Sequence, residues 1–347
     1  MRREGAGADQ RIFFLDHGGG RVAYAILGAG PVLMCDLGRL HHLDVFWRYP
    51  PYRRLVEALG RRFTVLRWDR PGCGLSERAR GDFTLEGELA LFDRLLAVVG
   101  AERLPVLAAA SSAPVMMTVA ARRPERVSRL AVFGAWTQAR PELVGYRGAL
   151  DGLLRSRFPL AVDVLAQATG SGCDAKAVRW LAGAYRQVAS GDVIAKWLAE
   201  TVRMDVRDTL ARVRCPTLVL HRRDDPSSNL QQARDVAAGI RDAVLVAVDG
   251  TEGVIWEGDV QALVGPLTGF LSASAPDPGP AEAPETGITE REREVAGLVA
   301  LGMTNADIAE RLGIGRRTVE SHLERLRSKL GLATRTELAA WSSRMRR

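Results

Sequence analysis

Short apolar runs recur along the first 271 positions, each closing on turn residues, with segments of helical period between most of them. RIFFL (11–15) and RVAYAIL (21–27) flank a glycine turn at 18–20 and predict a hairpin. PVLMCDLG (31–38), FTVLRWDRPG (63–72), LPVLAAA (104–110), VSRLAVFGA (127–135), CPTLVLHRRDDP (215–226) and AVLVAVDG (243–250) predict six further strands. Strands that alternate with helices predict an α/β fold built on a mostly parallel, doubly wound sheet. Residues 137–210 break this rhythm: the pattern there is helical throughout, as expected of a helical lid inserted into the sheet.

A second pattern begins near residue 287. TERE (289–292) and TNAD (304–307) both have the capping-box form, a threonine followed three residues later by an acid. Each opens an apolar-periodic segment that closes on a glycine, Gly302 or Gly313. The short turn GIG (313–315) leads into RRTVESHLERLRSKLG, where Val319, Leu323, Leu326 and Leu330 form one apolar stripe. Two helices joined by so tight a turn, the second polar on its outer side, predict a small all-α helix-turn-helix domain. Between the two patterns lies SASAPDPGPAEAPET (272–286), with nothing large enough to bury, which reads as a stiff solvated linker. The expected division is 11–271, then 272–286, then 287–347.

Composition narrows the classes. A chain of 347 residues suits one large and one small domain, and its 47% apolar content suits packed cores. No apolar stretch is long enough for a membrane span, and the start MRREGAGADQ lacks the apolar run of a secretory signal. Cys35, Cys73, Cys173 and Cys215 have no metal-ligand or redox spacing, so a cytoplasmic protein with reduced thiols and neither metal nor cofactor is expected. The net charge of +7 is almost wholly arginine, since lysine occurs only at Lys176, Lys196 and Lys329. Charge alone is therefore weak evidence for nucleic acid.

ITEREREVAGLVALGMTNADIAERLGIGRRTVESHLERLRSKLG closely resembles the LuxR-type DNA-binding domain along its whole length. The resemblance implies a recognition helix in the major groove of double-stranded DNA, and homodimers formed through the last helix near TELAAWSSRM (336–345). Matching positions imply that Glu320, Ser321 and Glu324 face base edges, while Arg316, Arg317, Thr318, Arg325 and Lys329 hold phosphates. A glutamate at a base edge can accept from the cytosine amino group and repels nearby phosphates, so selective, salt-sensitive binding is expected. His322 is expected to pack at the helix interface.

In the larger part, WDRPGCGLSE (68–77), AARRPERVSRLAVFGAW (120–136) and PTLVLHRRDDP (216–226) resemble three stretches of α/β-hydrolases, over roughly residues 11–271. That family uses a nucleophile, an acid and a histidine in this chain order. In these relatives the nucleophile lies three residues after the last bulky apolar residue of its strand and fourteen before the proline of PER. Counting from Leu107 and from Pro124 gives the same residue, Ala110. Taking Ser111 instead needs a one-residue slip, which reverses the direction of the side chain. The acid position is Asp225, for which a cap or turn role is an equal alternative. The histidine position in DGTEGVIW (249–256) is Gly253. The five histidines are His17, His41, His42, His221 and His322, and none lies between Asp225 and the linker. A serine hydroxyl without a base stays protonated and is a poor nucleophile. The expectation is a non-enzyme, a degenerate hydrolase shell that senses a small organic ligand or a partner.

The resemblance implies that backbone N–H groups at Ser111 and beside Arg39 still converge on a polar spot above Ala110. Trp136, Trp256 and the lid residues Trp180, Tyr185 and Trp197 are candidates for an apolar wall, with Asp225 and Gly253 at its edge. Two rival readings stay open: an active hydrolase fused to a regulator, using Ser111, and a ligand-free dimerisation scaffold.

Overall fold

The computed structural model describes residues 9–79, 81–139, 141–273, 290–300, 303–312 and 314–330, together with 338 and 342. The chain falls into two compact units, Met1–Pro276 and Asp277–Arg347. Most of the expected linker lies outside the described residues.

In the first unit β1 (Arg11–His17) and β2 (Gly20–Leu27) form the hairpin, turning at Gly18 and Gly19, whose φ angles are 58° and 79°. There follow β3 (Val32–Asp36), α1 (Leu43–Trp47), α2 (Pro50–Gly60), β4 (Thr64–Trp68), α3 (Leu85–Val99) and β5 (Leu104–Ala109). A single 3-10 turn (Ala110–Ser112) then leads into α4 (Ala113–Arg122) and β6 (Val127–Phe133). The segment expected to be a lid supplies α5 (Pro141–Ser156), α6 (Phe158–Thr169), α7 (Ala175–Val188), α8 (Gly191–Arg203) and α9 (Arg207–Leu210). The unit ends with β7 (Thr217–Arg222), α10 (Leu230–Gly239), β8 (Ala243–Val248) and α11 (Gln261–Ser272). Each expected strand forms. The six runs after the hairpin overshoot at their carboxyl ends, where the chain leaves the sheet to build loops, whereas β1 runs two residues past its expected end and β2 ends as expected.

The sheet order is β1-β2-β4-β3-β5-β6-β7-β8. The strands from β4 to β8 are parallel, and β2 runs antiparallel to both β1 and β4. Because successive side chains on a strand point to opposite faces, the parallel strands feed two cores. Leu33, Cys35, Leu107, Ala109, Ala131, Phe133, Leu218 and Leu220 enter the core beneath the lid. Met34, Val106, Ala108, Leu130, Val132 and Val219 enter the core on the opposite face. Helix starts are set locally: the side chains of Thr84, Asp174, Ser190 and Asn229 accept from the first-turn N–H groups of α3, α7, α8 and α10. The sheet reverses its winding at β3, between β4 and β5, so a crevice is expected above the carboxyl ends of these strands.

In the second unit α12 (Glu290–Ala300), α13 (Asn305–Leu312) and α14 (Arg316–Leu330) form a three-helix core. Val295, Ala296, Ile308, Val319 and Leu326 are fully buried there, with Leu323 beside them. The expected capping box at α13 is present: Thr304 Oγ1 donates to Asp307 Oδ2 at 2.7 Å, and the Asp307 N–H donates back to Thr304 Oγ1 at 3.3 Å. The corresponding Thr289, the closing glycines Gly302 and Gly313, the side chain of Leu330 and most of the expected last helix lie outside the described residues.

Candidate functional site

The strand-to-helix turn after β5 is built for a residue that few L-amino acids tolerate. Ala110 has φ of 50°, and among the described residues it is the one non-glycine with positive φ. Ala109 before it is still extended, at φ −129° and ψ 148°, and α4 starts three residues later with a proline in its first turn. The chain therefore reverses direction over Ala110 itself and presents its methyl group at the carboxyl end of the sheet.

Asp225, in the loop after β7, is buried and already saturated. Its Oδ1 accepts from the Ser227 N–H at 2.7 Å and from Ser227 Oγ at 2.6 Å, while Ser228 Oγ lies 3.2 Å from Oδ2. A Cβ placed on Gly253 would stand 3.2 Å from Asp225 Oδ1 and would collide with Ser227 Oγ. The position where the hydrolase resemblance places the histidine does face Asp225, but Ser227 fills the intervening space. The loop that bears Gly253 is held from two sides. Fully buried Arg222 donates to the carbonyls of Glu252 at 2.8 Å, Val254 at 2.9 Å and Glu257. From the lid, Gly172 approaches Thr251 too closely for any side chain, and the Gly253 N–H donates to the Ser171 carbonyl at 3.1 Å.

Above Ala110 lies a cavity of about 190 Å³. Its floor comes from loops after five strands: Leu37–His41, Ala109–Ser111, Gly134 and Trp136, Ser227 and Ser228, and Gly253–Trp256. Its roof comes from Leu165, Ala168 and Thr169 of α6, Tyr185 of α7, and Trp197 and Thr201 of α8, with Gln232 of α10 at the side. Of the residues expected to contact a ligand, Arg39, Ala110, Ser111, Trp136, Tyr185, Gly253 and Trp256 line it. Two do not. Trp180 stacks on Tyr49 at 3.8 Å and meets Phe46 edge-on at 5.2 Å, so it backs the wall that Phe46 forms. Asp225 is screened from the cavity by the two serines it binds. Sequence reasoning missed His41, Phe46, Thr201, Gln232, Ser227 and Ser228. The HH pair beside Arg39 was a visible signal for His41, whereas nothing in α10 marked Gln232.

The charges near the cavity cancel. Arg39, fully buried, donates through Nε to Glu88 Oε1 at 3.1 Å, through Nη1 to Thr201 Oγ1 at 3.3 Å and through Nη2 to the Phe83 carbonyl at 2.5 Å. Glu88 is shared with Arg70 at 2.7 Å, and Arg70 also grips Asp36 at 2.6 Å. Burial pushes the Asp36 carboxyl up, but the Arg70 guanidinium outweighs it and holds the group below the ordinary carboxylate range. His41 is committed through both ring nitrogens, Nδ1 to Asp69 at 2.9 Å and Nε2 to the Tyr52 hydroxyl at 2.8 Å. A carboxylate can only accept, so Nδ1 carries a proton and donates to Asp69. The imidazole has no nitrogen left for a substrate. His221 is fully buried, with Nε2 2.9 Å from the Ser228 carbonyl, and burial lowers its pKa, which favours the neutral ring. Burial also pushes the Tyr185 phenol up to about 12.

In the second unit, Arg316, Thr318, Glu320 and Glu324 are exposed on α14 and Ser321 is half-buried. Arg316 Nε lies 3.8 Å from Glu320, one turn along the helix. The side chains of Arg317, Arg325 and Lys329 lie outside the described residues. His322 is half-buried.

The geometry defines two classes of unit in one chain, and comparison with known proteins bears out both. The first unit shares the α/β-hydrolase fold. A hydrolase from Pseudomonas aeruginosa superimposes with a TM-score of 0.66 at 24% identity, covering 78% of this chain and all (100%) of that one. An enol-lactonase from Burkholderia xenovorans superimposes with a TM-score of 0.65 at 20% identity, covering 74% and 99%. In sequence, a putative carbamate hydrolase, RutD of Azorhizobium caulinodans, is 27% identical over 252 residues, which is 67% of this chain and 88% of that protein. Residues 286–342 match the family described as GerE, bacterial regulatory proteins, luxR family. The DNA-binding transcriptional activator DevR/DosR of Mycobacterium tuberculosis is 38% identical over 64 residues; these are 18% of this chain and only 30% of that protein. The chain thus joins an α/β-hydrolase-fold unit to a C-terminal LuxR-type helix-turn-helix DNA-binding domain.

Proposed function

We propose that the protein is a transcriptional regulator that binds DNA through α14, and that its hydrolase-fold unit is a non-catalytic sensor of a small molecule. The observation that carries this reading is Ala110, held in the backbone conformation of a nucleophile at the floor of a cavity of about 190 Å³. Neither a nucleophilic oxygen at that apex nor a free imidazole beside it is available. Gly253 stands at the expected histidine position, and His41 is fully engaged. The cavity itself argues against a mere scaffold, since an interior without a ligand would be filled. The protein acts in the cytoplasm, as a homodimer on paired half-sites.

DNA binding is tested by titrating the full chain onto duplex from its own promoter at several salt concentrations. The Arg317→Ala/Lys329→Ala variant is expected to bind more weakly and to lower the salt slope by about 2, roughly one per lost phosphate contact. Unchanged affinity and slope would overturn the assignment of α14.

A further inference from the structure

The two edges of the eight-stranded sheet are unlike. At one edge β1 reads RIFFLDH and carries the charges of Arg11 and Asp16. At the other, β8 reads AVLVAV, six apolar residues with neither charge nor proline. Charges, prolines and bulges are what edge strands use to refuse a further strand. None of the β8 side chains is fully buried, and Val244 is 58% exposed. The backbone is equally open. The Asp242 and Val248 carbonyls accept from the N–H groups of Thr217 at 2.9 Å and Arg223 at 2.8 Å. The alternate residues Ala243, Leu245 and Ala247 therefore turn their N–H and C=O groups away from the sheet. Among the described residues only the Ala247 carbonyl of this row has a partner, Arg223 Nη2 at 3.4 Å, and a carbonyl keeps a second lone pair.

Such an edge complements itself. A second copy laid antiparallel along β8, with Leu245 opposite Leu245 on the twofold axis, sets Ala243 opposite Ala247. All three outward-facing residues then fall at positions where facing residues exchange both N–H···O bonds, and Val244 meets Val246 at the closer positions between them. The same register sets Arg241 opposite Asp249, and both are exposed. Opposite charges that face across a strand pair stabilise it. Asp249 meets Arg223 of its own chain at 3.4 Å, and a carboxylate has lone pairs for a second guanidinium. Sliding one copy by two residues would keep the bonding pattern but part Arg241 from Asp249. Because β1 is guarded by charge, each chain offers one open edge, and pairing closes at two copies instead of running on into a fibre.

We propose that the edge of β8 is a dimer interface, at which a second copy of this chain adds its own β8 antiparallel and joins the two sheets into one. This rests on the homodimer of the proposed function and gives it a contact in the first unit. The two helix-turn-helix units then share an anchor ahead of the linker, so the dimer forms without DNA.

Sedimentation velocity of the full chain without DNA reads the mass over a range of concentrations, and amide hydrogen exchange reads the edge. The natural chain is expected to be a dimer at micromolar concentration, with the Ala243, Leu245 and Ala247 amides protected. Val244→Lys sets ammonium groups on either side of the twofold axis and should weaken the dimer at least about tenfold, while those three amides exchange faster. Val244→Thr, still β-branched and uncharged, should stay a dimer, and both variants should keep the circular dichroism of the natural chain. Arg241→Asp sets like charges opposite each other and should also weaken the dimer; adding Asp249→Arg should restore it. A dimer unaffected by Val244→Lys and by Arg241→Asp would overturn the β8 contact while leaving the homodimer in place. A natural chain that stays monomeric at every concentration would overturn both, and protected edge amides in that monomer would mean that its own linker covers β8.

Discussion

An alanine at φ 50° costs roughly 1–2 kcal/mol relative to an ordinary conformation, and the turn over Ala110 holds it nonetheless. Glycine has no Cβ to strain there, although it has more freedom to lose on folding. Ala110→Gly should therefore stabilise the hydrolase-fold unit by about 1 kcal/mol, raising its melting temperature by roughly 2 °C in a calorimetric scan. A fall in melting temperature would mean that the turn is not strained. This residue was legible in the sequence because two anchors, Leu107 and Pro124, bracket it without a gap. Gly253 was legible for the same reason, from the DG and W around it. Ser227 was not, because its role depends on a loop that brings it between Asp225 and Gly253, and no local pattern encodes that contact.

At the scale of elements, the strands were readable because apolar runs bounded by glycine and proline have few other ways to bury themselves, and the lid because its period changes. The buried chain Asp36–Arg70–Glu88–Arg39 was not readable. Its members lie on β3, on the turn after β4, on α3 and on the loop after β3, and Thr201 extends it to α8. The two carboxylates and two guanidiniums balance, so the set tolerates burial only as a whole. Glu88→Gln leaves an unmatched buried guanidinium and should destabilise the first unit by about 3 kcal/mol in denaturant unfolding. Replacing both partners, Glu88→Leu with Arg39→Met, leaves the Asp36–Arg70 pair intact and should recover part of that loss. If the double variant were less stable than the single one, the cost would lie in packing and not in charge.

For the whole molecule, the division into two units was visible from the proline-rich, small-residue stretch and from two different apolar periods. In the first unit the sequence marks an alanine and a glycine at the positions where the resemblance places the nucleophile and the histidine. The cavity roofed by α6, α7 and α8 emerges only when distant residues are brought together. On the proposed reading, the fold holds a molecule without consuming it. The most direct test is turnover. The full chain should release p-nitrophenol from p-nitrophenyl esters of increasing acyl length no faster than buffer, and Ser111→Ala should change nothing. Saturable release that disappears in Ser111→Ala would contradict the non-catalytic reading.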